Sequence, residues 1–157
     1  MTLNIRIAQW YDCDAVSRLS RESWQHDLSQ NPDLSPVDNG IAVFDHTLRV
    51  AGWLRNPKAA VVLATDDVEP LGYLAMGLDH TCPYRQEPTV FIDGFYVKPE
   101  ARIRNIGGLL YRYARKLFHP NVPKFSQAVV LSHNKDVQVM LERFGFVESG
   151  KLYEKVN

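Results

Sequence analysis

Residues 97–110 of the 157-residue chain read VKPEARIRNIGGLL, and this is the most informative stretch of the sequence. A strand that ends at Val97 runs into a loop carrying Arg102 and Arg104, and Gly107 and Gly108 then open a helix. The N–H groups in the first turn of a helix have no intrahelical partner and lie at the positive end of its dipole. A diphosphate can accept several of them where no side chain blocks its approach. A glycine pair that opens a helix can also be no more than a tight turn.

The helix after the glycines is amphipathic. Its apolar residues recur at helical spacing and form one stripe. The stripe consists of Ile106, Leu109, Leu110, Tyr113, Ala114 and Leu117, and the other face carries Arg112, Arg115 and Lys116. This short basic face has no aromatic platform interleaved with it, so we do not expect nucleic acid binding.

The rest of the chain alternates strand and helix patterns. Strands are expected at 3–7, 59–65, 71–78, 89–97 and 126–131, with one or two more over 146–156. Helices are expected from Asp12 to Trp24, at 39–55, at 106–117, and from an Asn134 cap to Gly145. Loops are expected at 25–38 and 79–88. This order predicts a mixed α/β or α+β sheet.

Composition places the chain among ordinary globular proteins. Apolar residues make up 45% and charged residues 23%, and the length suits a single domain over residues 1–157. No signal peptide is visible and the longest apolar run is too short to span a bilayer, so we expect no membrane association. Cys13 and Cys82 lack metal-like or redox-like spacing, which favours free thiols in a cytoplasmic protein.

The net charge of zero hides an asymmetry between the two parts of the chain. Residues 1–99 carry 8 Lys and Arg against 13 Asp and Glu, whereas residues 100–157 carry 10 against 5. A basic C-terminal part suits a polyanionic ligand and an acidic N-terminal part suits a cationic one. Scattered solvated faces would give the same balance.

The stretch from Val97 to Leu110 resembles the GNAT superfamily of acyl-CoA-dependent N-acyltransferases. That family has a pyrophosphate loop, Arg/Gln-x-x-Gly-x-Gly/Ala, after a strand ending in Val-x-Pro-Glu. Residues 102–107 fit it except that Asn105 replaces the first glycine, and Asn tolerates positive φ better than most residues. The segment from Asn134 to Phe146 also resembles the family's Asn-capped helix that ends in Gly-Phe.

The resemblance implies a mixed, mostly antiparallel central sheet of about six to seven strands, flanked by about four helices. The pantetheine arm of acetyl-CoA would lie along the strand at 95–97, and the diphosphate would lie on N–H groups of residues 103–108. No metal is implied. The cofactor-binding residues would be Phe95, Tyr96, Val97, Arg102, Ile103, Arg104, Asn105, Ile106, Gly107, Gly108 and Asn134.

Asp93 is the candidate catalytic base. Strand periodicity places it on one face with Phe91, Phe95 and Val97. A carboxylate in an apolar row costs folding free energy, so its presence there suggests a function. Burial would raise its pKa, which favours proton acceptance. In family members with an acid on this strand, the matching residue deprotonates the amine. A carboxylate that pairs with a lysine or arginine, or is simply exposed beside Gly94, is the alternative.

The general acid is missing from its usual place. The tyrosine with which many members of the family protonate the leaving thiolate would fall at Leu141, which cannot donate a proton. Tyr84, Ser132, His133 and Tyr153 are the alternatives, and no spacing chooses among them. Trp24 and Trp53 are expected in the core rather than at the ligand.

The function implied is transfer of an acetyl group from acetyl-CoA, by direct attack, to a primary amine of a small molecule or protein. Carboxylates in the loops favour a cationic amine; these are Asp27, Asp33, Asp38, Asp79 and Glu87. A non-catalytic acyl-CoA-binding or interaction module is the alternative, and Leu141 and Asn105 favour it. Both a monomer and a homodimer stay open.

Overall fold

A computed structural model describes residues 2–30, 39–67, 69–79, 88–118, 123, 125–131 and 133–150. The strands are β1 (Leu3–Ile7), β2 (Ala59–Asp66), β3 (Glu69–Asp79), β4 (Thr89–Val97) and β5 (Phe125–Ala128). The α-helices are α1 (Cys13–Gln30), α2 (Asn39–Arg55), α3 (Ile106–Leu117) and α4 (Lys135–Arg143). Two 3₁₀ turns, Trp10–Asp12 and Pro99–Arg104, precede α1 and α3.

The strands form one sheet in the order β1-β2-β3-β4-β5. The first four are antiparallel, and β5 runs parallel to β4. The expected fold, a mixed and mostly antiparallel sheet with about four helices, is confirmed. The strand count differs, because the described part of the chain has five strands rather than six to seven. Residues 146–150 form no strand, and the rest of the predicted C-terminal strand lies outside the described residues.

The sheet separates two apolar cores. On one face α3 and α4 pack through Ile106, Leu110 and Leu141 against Leu74 and Val90. On the other face α1 and α2 supply the cover. Their core side chains are Val16, Leu19, Val50 and Trp53, which meet Val61, Leu63 and Tyr73 of β2 and β3. Strand β2 is buried on both faces, which explains its unbroken apolar sequence.

Two predicted boundaries are wrong. Helix α1 begins at Cys13 and continues to Gln30, so residues 25–30 are helical and not loop. Asp12 ends a 3₁₀ turn, where its carboxylate accepts the Gln9 N–H group at 2.7 Å. Strand β5 ends at Ala128 instead of reaching Leu131, since its pairing with β4 ends there.

A β-bulge interrupts β4. Ala75 of β3 pairs with Gly94 and Met76 pairs with Ile92, so Asp93 has no partner across the ladder. The extra residue shifts the alternation of side chains by one position. Val90, Ile92, Phe95 and Val97 therefore all pack in the core beneath α3 and α4.

The predicted shared face of β4 is consequently wrong. Phe91 and Asp93 line a small surface pocket beside Trp53 of α2. Phe95 and Val97 lie on the opposite side of the sheet. The period-two rule fails here because it assumes an uninterrupted ladder.

Candidate active site

A cleft opens where β4 and β5 separate. The two strands pair only over Thr89–Ile92 and Phe125–Ala128, and beyond this point they diverge. The space between them, about 230 Å³, is lined by β4, by residues 128–131, and by side chains of α1, α2 and α4. Beyond Ile92 the edge of β4 that faces the cleft has no strand beside it among the described residues.

The backbone of β4 presents hydrogen-bonding groups to this cleft. Lys98 donates its N–H to the Leu71 carbonyl of β3 at 2.9 Å. The backbone N–H and C=O groups of successive residues in an antiparallel strand point to alternate sides. Those of Tyr96 therefore also point toward β3, whereas those of Phe95 and Val97 point away from it. The Val97 carbonyl already accepts Arg102 Nε at 3.1 Å. The open edge therefore offers the Phe95 N–H and carbonyl and the Val97 N–H, and Tyr96 offers none.

The loop after β4 ends at the N-terminus of α3. Asn105 adopts the left-handed conformation with φ 53°, as expected for the residue that replaces a glycine of the pyrophosphate loop. The Leu109 N–H bonds to the Asn105 carbonyl at 3.2 Å, closing the first turn. The N–H groups of Ile106, Gly107 and Gly108 precede that bond and have no intrahelical acceptor.

The two glycines also have structural roles. A Cβ atom on Gly107 would lie 3.0 Å from the Phe95 ring and 3.3 Å from the Met140 sulfur. One on Gly108 would lie 2.6 Å from the Asn105 side-chain oxygen. Gly107 therefore allows α3 to pack on β4 and α4, and Gly108 makes room for the Asn105 amide. Access for a ligand is therefore not the only reason for glycine at positions 107 and 108.

The loop side chains differ in their surroundings. Arg102 Nη1 pairs with Asp136 at 3.0 Å, and Arg104 Nη1 pairs with Asp66 at 2.8 Å. Ile103 is 92% exposed, so only its backbone could hold a ligand. The Asp136 carboxylate is well exposed, so its pair with Arg102 is weak and a phosphate can replace it. Asp66 is largely buried, so Arg104 is held more firmly.

Asp93 lies at the mouth of the cleft in a polar setting. Its carboxylate accepts hydrogen bonds from Arg49 Nη2 at 2.9 Å and from Trp53 Nε1, and Arg49 also lies 4.9 Å above the Trp53 ring. The Asp93 side chain is 42% exposed. The structure thus shows the ion pair with an arginine that the sequence left open, and not an apolar row.

The comparisons with known proteins agree with this geometry. The sequence model of the Acetyltransferase (GNAT) family matches residues 8–146. This chain belongs to the GNAT family. GNAT enzymes are N-acetyltransferases that use acetyl-CoA to modify amine acceptors. No curated protein sequence matches the chain.

Solved structures share the GNAT fold with this chain at low sequence identity. AAC(6')-Iy in complex with a bisubstrate analogue has a TM-score of 0.77 and 17% identity, covering 100% of this chain and 99% of its own. A mutant BH1408 protein from Bacillus halodurans has a TM-score of 0.81 and 18% identity, covering 98% of this chain and 99% of its own. The aminoglycoside 6'-N-acetyltransferase AAC(6')-IG from Acinetobacter haemolyticus has a TM-score of 0.76 and 17% identity, covering 98% of this chain and 97% of its own. AAC(6')-Iy has also been solved with CoA.

Asn134 and Asp27 connect the two walls of the GNAT cleft. The Asn134 side chain caps α4 by accepting the Val137 N–H at 3.3 Å, which confirms the predicted cap. Its Nδ2 atom donates to Asp27 Oδ1 of α1 at 2.8 Å. Burial raises the pKa of Asp27, and this hydrogen bond and the nearby His133 partly offset the rise. Asp27 was expected in a loop and lies on a helix that lines the cleft.

Three further side chains of the cleft were missed by the sequence analysis: Ser20, His46 and Tyr73. Ser20 Oγ lies 2.8 Å from His46 Nδ1. Trp24, expected in the core, also lines the cleft and meets the His46 ring at 6.1 Å between centroids, whereas Trp53 is buried as expected. The signal was present in α1, where Ser20, Ser23 and Asp27 recur at helical spacing beside the apolar stripe.

Leu141, where the resemblance led us to expect the usual tyrosine, lies in an apolar setting. Leu141 is buried and packs in the core that also borders the cleft. His133 lies near enough to Asp27 for its charge to lower the pKa of that carboxyl. Tyr84, Ser132 and Tyr153 lie outside the described residues.

Two wider features can be stated for the described part of the chain. It holds no group of three or more His, Cys, Asp and Glu residues that could bind a metal ion. It also has no helix with the length and apolar character needed to cross a membrane.

Proposed function

We propose that this chain transfers the acetyl group of acetyl-CoA to a primary amine of a small molecule or protein, by direct attack of the neutral amine on the thioester. The observation that supports this most is the continuity of two backbone surfaces. The open edge of β4 at Phe95 and Val97 leads, through one loop, to the free N–H groups at the start of α3. A pantetheine arm and a diphosphate have the hydrogen-bonding groups that such surfaces accept.

The binding residues are those of the strand, loop and helix together. Phe95 and Val97 would hold the pantetheine amides, and Ile103 to Gly108 would hold the diphosphate through their backbone. Arg102 and Arg104 would add charge by exchanging Asp136 and Asp66 for phosphate oxygens. Asn134 lines the same cleft and can still donate its second amide hydrogen.

Asp93 is proposed as the group that accepts the amine proton, directly or through water. It occupies the bulge of β4 at the point where the cleft opens, and its exposed fraction allows an amine to approach. Arg49 and Trp53 hold the carboxylate in place through their hydrogen bonds. A water molecule between Asp93 and the amine would carry the proton where the amine does not reach the carboxylate itself.

The acceptor is proposed to be cationic. Asp27 and Asp93 bring two carboxylates to the cleft against one guanidinium, Arg49. Aromatic surface from Trp24 lies beside them and suits the apolar part of a protonated amine. Asp33, Asp38 and Glu87 lie outside the described residues and add nothing to this inference.

Release of CoA thiol across a panel of amines tests the function. We expect steady-state thiol release with at least one cationic amine and none without an acceptor. Anionic amino acids should be poor acceptors, because they meet the two carboxylates. CoA should raise the melting temperature, because a ligand that binds only the folded state stabilises it. A chain that shows the CoA shift but no thiol release with any amine would be a binding module.

A further inference from the structure

Three polar side chains from three different elements meet on the α1 and α2 side of the cleft. Ser20 comes from α1, His46 from α2 and Tyr73 from β3. Ser20 Oγ lies 2.8 Å from His46 Nδ1. Ser20 also lies close enough to the Tyr73 phenol for hydrogen bonding to offset part of the rise that burial causes in the pKa of Tyr73. Ser20 and Tyr73 are 4% and 2% exposed, so their polar groups are kept inside the molecule. We call this set the Tyr73 chain.

The Tyr73 chain ends against β4. A Cβ atom built on Gly94 would lie 2.9 Å from the Tyr73 hydroxyl oxygen, so the phenol packs on the backbone of β4 next to the bulge. This is also where β4 and β5 separate. Only a glycine at position 94 allows so close an approach. The hydroxyl is thereby fixed beside the backbone that would hold the thioester.

The direction of the hydrogen bonds follows from counting protons. Ser20 has one hydroxyl proton, and if it donates to the Tyr73 oxygen, its own oxygen accepts the proton on His46 Nδ1. Tyr73 then keeps its own proton for a group in the cleft. Burial raises the pKa of Tyr73, so the phenol is protonated at neutral pH. The charged groups that influence it are Arg49, Asp93 and Asp27.

We propose that Tyr73 is the general acid that protonates the leaving CoA thiolate, and that Ser20 and His46 restore its proton. The inference rests on the proposed function and supplies the acid that Leu141 cannot. As the amine forms the new C–N bond, the C–S bond breaks and its electron pair leaves on sulfur. The sulfur takes the Tyr73 proton, and Tyr73 recovers one from water through Ser20 and His46. The amine loses its proton to Asp93 or water, and this proton neutralises the hydroxide that the relay leaves behind.

Tyr73→Phe is the direct test. It removes one hydroxyl from a packed ring, so kcat should fall roughly 10²-fold or more. The KM for acetyl-CoA and the thermal shift with CoA should stay unchanged, because the pantetheine and diphosphate contacts lie elsewhere. Tyr113→Phe is the matched control, since it removes a hydroxyl from a partly buried ring of α3 that does not line the cleft. The control should keep the wild-type kcat.

A second variant separates a relay from a packing effect. Ser20→Ala should also lower kcat, and it tests the chain even where Tyr73→Phe does not fold. Groups that act as one unit are strongly non-additive. The double variant should therefore lose little more activity than Tyr73→Phe alone. Losses that multiply would show two independent structural effects and overturn the proposal.

Kinetics of the wild type and of Tyr73→Phe separate the role of Tyr73 from the proposed function. An active wild-type chain whose Tyr73→Phe variant keeps its kcat overturns the role of Tyr73 alone. A wild-type chain that releases no thiol with any amine overturns the proposed function, and the role of Tyr73 falls with it.

Discussion

At Gly72 and Gly52 the same substitution to alanine should change stability in opposite directions. A Cβ atom on Gly72 would lie 2.7 Å from the Tyr96 carbonyl oxygen, which is backbone of the neighbouring strand and cannot rotate away. Overpacking of this kind costs roughly 1–3 kcal/mol. Nothing lies within 4 Å of a Cβ on Gly52, which is exposed in the interior of α2. Alanine there should stabilise the fold by about 0.5–1 kcal/mol. Urea denaturation of both variants checks the pair, and equal effects would contradict it.

Asp93 carries the proposed proton transfer and also an ion pair, and one variant separates the two roles. Asp93→Asn keeps the shape of the side chain but removes proton acceptance, so kcat should fall roughly 10²–10⁴-fold. The thermal shift with CoA should barely change. Part of the rate should return at high pH, where the amine is already neutral.

The control for Asp93→Asn is Glu142→Gln, which removes an exposed carboxylate from α4 outside the cleft. It should leave kcat unaltered. If Asp93→Asn melts well below the wild type and its rate is not recovered at high pH, the carboxylate is structural. Near-normal turnover at neutral pH would leave water or the substrate as the proton acceptor.

Single residues of the site were predicted unevenly from the sequence. The Gly107–Gly108 pair and Asn134 were found because turn and capping residues carry a local signal. Asn105 was correctly expected to accept positive φ. Ser20 shares a helical spacing with Ser23 and Asp27, which was a weak signal. His46 and Tyr73 gave none, because each is ordinary within its own element and they meet Ser20 only through the tertiary fold.

At the scale of elements, the start of α3 is proposed to bind phosphate through its backbone and its two neighbouring arginines. Arg102→Gln combined with Arg104→Gln should weaken CoA binding roughly 10²-fold, because two hydrogen bonds to charged groups, each worth at least about 1.5 kcal/mol, would be lost. Binding of pantetheine, which lacks the diphosphate, should be unaffected. Calorimetric titration with both ligands checks this, and an equal loss for both would move the diphosphate away from α3.

Arg112→Gln combined with Arg115→Gln is the matched control for charge. These arginines lie on the exposed face of α3, away from its N-terminus. The control removes two positive charges from the same helix. CoA affinity should then change little at physiological salt, because exposed charges at that distance are screened.

Helices and strands were predicted best where a breaker residue or a long stripe marked their bounds. β4 ends before Pro99 and α2 before Pro57, as a proline favours, and α3 shows one apolar stripe over several turns. The predicted end of α1 at Trp24 was too early, because polar residues do not end a helix and the first proline after it is Pro32. β5 was predicted too long because it ends where its pairing with β4 stops, which is a property of two strands and not of one.

For the whole molecule, the contact between β1 and the turn before α1 predicts a response to acid. Arg6 pairs with Asp12 at 2.7 Å, and this hydrogen-bonded contact lowers the pKa of the buried Asp12 carboxyl. A lowered pKa stabilises the fold above the unfolded value of about 3.9 and is lost as pH falls through the folded value. Asp12→Asn should therefore cost roughly 1–3 kcal/mol at neutral pH.

The gap between wild type and Asp12→Asn should close in acid. Once Asp12 is protonated, the wild-type side chain is as neutral as the amide. Denaturant unfolding at a series of pH values measures this directly. A constant gap at every pH would show that the side chain acts through shape and not through charge.

The bulge at Asp93 means that losing a residue from this part of β4 and gaining one should have very different consequences. Deleting Asp93 would restore a regular ladder, because Ile92 would still pair with Met76 and Gly94 with Ala75. Phe95 and Val97 would then keep their place in the core under α3. A residue inserted between Gly94 and Phe95 would instead turn both side chains to the other face of the sheet, and the cleft would lose its wall. In a mutational scan of this gene, position 93 should tolerate replacement and removal for folding, whereas the segment after it should not tolerate added length.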